Sequence, residues 1–175
     1  MMTDIEHIKS QLEKSVGSKM YCHCLRTMEE AVKLAEIYNI DVEKARIAGL
    51  LHDCGKLIDK KIENLKHASE GAEIARKIYK IDDIDILNAI RYHTTGREAM
   101  NMLEKIVYIA DKIEPNRNFE GVEEIRSMAY YNIDNAIVKS LNSTIDYVKQ
   151  RNMSVDVESV KTLNYLIKVK GGINF

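Results

Sequence analysis

The sequence has little to break a helix: one proline, Pro115, and eight glycines in 175 residues. With Leu, Ile, Lys, Glu and Ala abundant, this scarcity favours helices over strands. Charge of one sign is also lacking. Lys and Arg total 26 against 27 Asp and Glu, which argues against bulk electrostatic capture of nucleic acid or an anionic membrane but leaves room for a local anion pocket. Long apolar runs are absent. The opening segment MMTDIEHIKS carries no secretion signal, and stretches such as Ile106 to Ala110 are far too short to span a bilayer. Cysteine is sparse and odd in number. Cys22, Cys24 and Cys54 lack a framework spacing, so they read as free thiols of a reducing cytoplasm and as buried helix residues rather than zinc thiolates.

What is present is an ordinary globular balance, 45% hydrophobic and 30% charged, in a length that fits one compact domain. No internal repeat or low-complexity segment interrupts it. The pattern predicts about nine helices. Thr3 is the expected cap of the first, which runs to Val16 and is ended by Gly17-Ser18. A second spans Lys19 to Tyr38, and a third follows the N-cap Asp41 to the neighbourhood of Cys54-Gly55. The fourth opens at His67 or Ala68 and ends near Tyr79; the fifth runs from Asp82 or Asp83 to Tyr92. The sixth is expected from Arg97 to Glu114, stopped by Pro115. Short helices near 120–129 and longer ones at about 131–151 and 155–170 complete the series, with Gly171-Gly172 loosening the tail. Ile133, Ile137, Leu141, Thr144, Ile145 and Val148 fall at helical spacing and read as a core-facing stripe.

Four of the five histidines stand in suggestive places. His23 shares a face with Met20, Thr27, Ala31 and Leu34; His52 follows Ala45 and Ala48 at helical spacing; His93 follows Ile86 and Ile90. Asp111 lies one turn past Val107 and Tyr108, within IVYIADKI. An aspartate in apolar surroundings must be paired or bind a metal, since desolvating it alone is costly. Ligands on separate helices are how bundles build interior metal sites. Two carboxylates with neutral imidazoles suit Fe, Mn, Zn or Co. Taken singly, each of these residues has an ordinary alternative: a buried histidine usually satisfies a core hydrogen bond, and Lys56, Thr94-Thr95-Gly96 and Arg117 read as a helix-end cation, a helix stop and a solvated cation. His7, on a polar helix face, is given no role.

The joint pattern is more specific. Leu50-Leu51-His52-Asp53-Cys54-Gly55-Lys56, with His23 upstream and Asp111 downstream, resembles the H…HD…D signature of HD-domain phosphohydrolases. The segments HASEGA at His67, RYHTTG around His93 and IADKIEPNR around Asp111 narrow the likeness to the YqeK branch, the symmetrical bis(5'-nucleosyl)-tetraphosphatases, over roughly Lys19 to Leu166. The resemblance implies an all-α HD-domain helical bundle: an N-terminal helix over 1–17, the HD domain over 18–170 and a tail over 171–175, one structural domain overall. It implies a metal, iron first, on His23, His52, Asp53 and Asp111, with phosphates lined by Lys56, His67, His93, Thr94 and Arg117. Where relatives commonly carry Arg three residues before the first metal histidine, this chain has Met20, with Lys19 beside it.

The implied reaction is hydrolysis of diadenosine tetraphosphate at its central bridge to two ADP, by water activated at the metal. Asp53 or Asp111 would take the water's proton, and His67 or His93 would protonate or stabilise the leaving phosphate. With Asp53 as a bridge, His67 and His93 are alternatively ligands of a second metal. Competing readings are an HD phosphohydrolase for a guanosine alarmone or a deoxynucleotide, a di-iron oxygenase, and a non-catalytic nucleotide sensor. The expected setting is cytoplasmic, with a nucleotide substrate, neither nucleic acid nor membrane as partner, and room for a homodimer.

Overall fold

The computed structural model describes residues 5–57 and 66–171. Among these it contains nine α-helices and no strand: α1 (Ile5–Val16), α2 (Ser18–Ile37), α3 (Val42–Leu51), α4 (Lys66–Lys77), α5 (Ile84–Arg91), α6 (Met102–Ile113), α7 (Val122–Ala129), α8 (Ile133–Gln150) and α9 (Val157–Gly171). The expected cap at Thr3 and the glycine at 172 lie outside the described residues.

The helix starts follow capping chemistry. The Asp41 carboxylate accepts from the Glu43 and Lys44 N–H groups, Asp83 from Asp85 and Ile86, and Asn132 from Asn135. Each satisfies donors that a helix leaves without an internal partner. Gly17, at φ 80°, turns the chain between α1 and α2 in a conformation that side-chain-bearing residues avoid.

Three expectations are corrected. The third helix stops at Leu51, short of Cys54-Gly55, because a tight turn takes over in which Cys54 N–H reaches Leu51 O and Lys56 N–H reaches Asp53 O. The sixth begins at Met102, not Arg97, because the Asn101 side chain accepts from Glu104 N–H and opens the helix there. Arg97 is drawn off instead into a two-pronged pair with the buried Glu104 carboxylate. In α8 the buried stripe runs through Ile133, Ala136, Ile137, Ser140, Leu141 and Ile145, so Thr144 is exposed and Val148 only half-buried.

Packing places α6 at the centre. Ile106, Val107, Tyr108, Ile109 and Ala110 are all buried, and the helix touches α2, α3, α5, α7 and α8. Helices α2 and α3 approach so closely that a Cβ on Gly49 would stand 2.9 Å from Met28 Cα. A second close approach joins the turn after α3 to α4, where a Cβ on Gly55 would stand 2.1 Å from His67 O. These contacts bring one face of α2, the ends of α3 and α5, the start of α4 and the last turn of α6 to a common point. No helix among the described residues is long and apolar enough to cross a membrane.

Candidate metal centre

Every residue expected to bind metal meets at that point, drawn from five elements. His23 comes from the second turn of α2, His52 and Asp53 from the turn after α3, His67 from the first turn of α4, His93 from just past α5, and Asp111 from α6. His52, Asp53, His67, His93 and Asp111 are buried, and His23 is only slightly exposed. Successive imidazoles form a row, with ring centroids 5.1 Å apart for His23 and His52, 5.0 Å for His52 and His93, and 5.1 Å for His93 and His67.

The atoms fall into two groups joined by one carboxylate. In the first, His23 Nε2 stands 3.2 Å from His52 Nε2, 3.0 Å from Asp111 Oδ1 and 3.7 Å from Asp53 Oδ2, which is itself 3.4 Å from His52 Nε2. In the second, Asp53 Oδ1 is 3.2 Å from His67 Nε2 and 3.3 Å from His93 Nε2, and those nitrogens are 3.2 Å apart. Asp53 therefore turns one oxygen to each group. The sets His23–His52–Asp53 and Asp53–His67–His93 each have the spacing of groups able to hold a metal ion.

Hydrogen bonding fixes how the rings present themselves. His52 Nδ1 donates to Gly49 O at 2.8 Å and His93 Nδ1 to Ile90 O at 2.7 Å. A carbonyl can only accept, so Nδ1 carries the hydrogen and, in the neutral ring, Nε2 offers its lone pair to the cluster. His23 Nδ1 faces Glu114 Oε1 at 3.2 Å, with the same consequence. The lone pairs on His23 Nε2 and His52 Nε2, 3.2 Å apart, repel unless a cation lies between them. Asp53 Oδ1 is buried and accepts no hydrogen bond. The donor set thus fits a borderline or moderately hard divalent ion.

Charge in the site agrees. Burial opposes ionisation of Asp53, but the charge on His52 and the closeness of the other imidazoles outweigh it and hold the carboxyl far below the usual range. Asp111 is likewise held well below its ordinary value: burial is overcome by Lys112, His23 and His52. His52, which burial would depress, is raised to about 9 by Asp53 and Asp111, whereas burial keeps His93 below its ordinary value.

The expected phosphate residues divide. Lys56 Nζ donates to Asp53 Oδ2 at 2.8 Å, and Arg117 donates from Nη2 to Asp111 Oδ1 and from Nε to Asp111 O, so both cations stand on the rim. Thr94 follows His93 in the same turn but makes no side-chain hydrogen bond to the cluster, and Thr95 Oγ1 donates to Gly96 O. Met20 packs against the core and Lys19 is exposed. Of the cysteines, Cys24 and Cys54 are buried as expected; Cys22 is exposed, which corrects that expectation, because it lies off the buried face of α2.

Sequence reasoning missed Glu114 and Arg26. Glu114 is buried and links His23 Nδ1 to Arg26 Nε. Burial opposes its charge, but Arg26, the Asn116 N–H and His23 hold its carboxyl below the ordinary value. A signal existed: Arg26 and Glu114 each lie three residues past a candidate ligand, His23 and Asp111, on the same side of their helices.

The family model for the HD domain matches residues 20–116. The chain is 38% identical to the symmetrical bis(5'-nucleosyl)-tetraphosphatase of Halalkalibacterium halodurans, over 84% of this chain and 88% of that protein. It is 37% identical to the protein of the same name from Bacillus subtilis, over 89% and 94% of the two chains. Its fold is similar to that of an HD superfamily hydrolase from Clostridium acetobutylicum, described as involved in NAD metabolism, at TM-score 0.89 and 39% identity, covering 97% of this chain and 100% of that one. The chain belongs to the HD domain family, in the branch of the symmetrical bis(5'-nucleosyl)-tetraphosphatases.

Proposed function

We propose that the protein hydrolyses diadenosine tetraphosphate at its central bridge, giving two ADP, with a metal held by His23, His52, Asp53 and Asp111. The observation that carries this reading is the Asp53 carboxylate, whose two oxygens each face a separate group of imidazoles in a buried site. The relatives' shared name supplies the substrate. Iron is the first choice of metal, with Mn, Co or Zn suited to the same donors. Asp53, His67 and His93 form the second set, and the proposal places a second ion there.

A bound ion lowers the pKa of a coordinated water towards about 7 and offsets phosphate charge. The chain's own groups do the rest. Water adds to an inner phosphorus as its proton passes to the Asp53 or Asp111 carboxylate and on to solvent, the bond from that phosphorus to the bridging oxygen breaks, and one ADP leaves with that oxygen. Asp53 and Asp111 are held ionised and orient the ligand shell; their rim cations, Lys56 and Arg117, are free to turn to phosphate oxygens once the carboxylates are otherwise neutralised. Arg117 offers a fork and Lys56 a point charge, so the first suits two oxygens of one phosphate. Of the two imidazoles near the leaving side, His93 has Nδ1 committed to Ile90 O, while His67 Nδ1 is buried without a partner. With the second set filled, both rings serve as ligands there, and the ADP oxygen, part of an ionised phosphate at neutral pH, leaves without a proton from either. Thr94 would add a hydroxyl beside His93. Three free thiols suit a reducing cytoplasm.

Chromatography of a nucleotide panel tests the substrate. The proposal expects turnover of diadenosine tetraphosphate and none of guanosine alarmones or deoxynucleoside triphosphates. Turnover of one of those with the dinucleotide untouched would overturn it.

A further inference from the structure

His52 and His93 each sit just past a helix end, where the carbonyl three residues back is available to receive Nδ1–H. His23 has no such option. It lies inside α2, where local carbonyls are engaged by the helix's own bonds, so an acceptor for its Nδ1 must come from another element. That acceptor is Glu114, 2% exposed at the end of α6, with Oε1 at 3.2 Å from His23 Nδ1. Its other oxygen is fully employed, taking Arg26 Nε at 2.7 Å and Asn116 N–H at 2.8 Å. Its main-chain carbonyl accepts from Arg126 Nη2 at 3.2 Å. The carboxylate is thereby anchored by α2 and by the turn that follows Pro115, and the Glu114 backbone by α7.

We propose that Glu114, anchored by Arg26, is a positioning residue that sets the tautomer and ring angle of His23 so that Nε2 faces the metal. This rests on the reading of His23 as a ligand. Partners of this kind, one bond removed from the ion, tune affinity by about 10–100-fold. Glu114→Gln is the informative change. Arg26 and the Asn116 N–H both donate, so they claim the amide oxygen and leave the NH₂ facing His23 Nδ1. That nitrogen must then accept, and the ring hydrogen moves to Nε2, where the metal belongs.

The test is calorimetric titration of the metal-free full chain with Mn²⁺. The expected result is binding weakened about 10–100-fold in Glu114→Gln, with the metal-free melting profile still cooperative. Mn²⁺ affinity equal to that of the unaltered protein would overturn the proposal. Failure of the unaltered protein itself to bind Mn²⁺ would instead remove the metal reading beneath it. Should Glu114→Gln not fold, imidazole ¹H–¹⁵N spectra of the unaltered Zn²⁺-loaded protein decide. A slowly exchanging, downfield Hδ1 on His23 supports the proposal; metal on Nδ1, or a freely exchanging Hδ1, overturns it.

Discussion

Replacing Asp53 by alanine removes a ligand from both groups at once, because its oxygens point to different imidazole pairs. His93→Ala touches only the second. Metal analysis after anaerobic purification should therefore give no retained metal for Asp53→Ala, two ions for the unaltered protein, and one for His93→Ala. A stoichiometry near one that His93→Ala leaves unchanged would remove the second ion from the proposal. At this scale the sequence was informative where chemistry and burial coincided: His23, His52, Asp53 and Asp111 do converge. What it could not convey was the division of Asp53 between two groups as a geometric fact, since that depends on how the turn after α3 orients one carboxylate. Glu114 escaped notice because the residue before Pro115 reads as an ordinary helix end, and only folding lays it against α2.

Helices were legible where caps and periodicity agreed. Asp41 and Asp83 open α3 and α5 as their sequence contexts predict. The missed start of α6 had its own signal, Asn101-x-x-Glu104, which outweighs the helix-compatible but uncapped stretch from Arg97. The early end of α3 had none, because apolar spacing continues through Cys54 while the backbone has already turned. That turn depends on Gly55 for its closeness to α4: an added Cβ would overlap His67 O at 2.1 Å. Gly55→Ala must push α4 away, at a cost of about 1–3 kcal/mol, and shift His67 from Asp53. Thermal melts should show the loss, with metal content falling more at the second group than at the first. An unchanged melting temperature would show that the approach is looser than the structure has it.

Across the whole molecule, the cluster is a store of like groups that needs a positive charge at its centre. Without metal, a proton on His52 supplies part of it. Burial works against that proton, but Asp53 and Asp111 raise the imidazole to about 9. Because the folded value lies above the ordinary 6.5, the stabilisation is complete below pH 6.5 and is lost as pH climbs through about 9. His93, kept low chiefly by burial, stays neutral through that window and does not offset the change. The metal-free protein should thus lose on the order of 3 kcal/mol between these limits. Metal binding should strengthen over the same interval, as it no longer displaces a proton. Melts in chelator at the two ends of the window check the first statement, and a flat profile would contradict it. The all-helical architecture itself was readable from the outset, since scarce breakers and nine stretches of helical spacing leave few other ways to bury the apolar faces.

The central claim is met most directly by analysing the products of metal-loaded protein with diadenosine tetraphosphate. Two ADP for each substrate consumed, abolished by chelator and restored by metal, is the expected result. ATP with AMP, or no metal-dependent turnover, would contradict it.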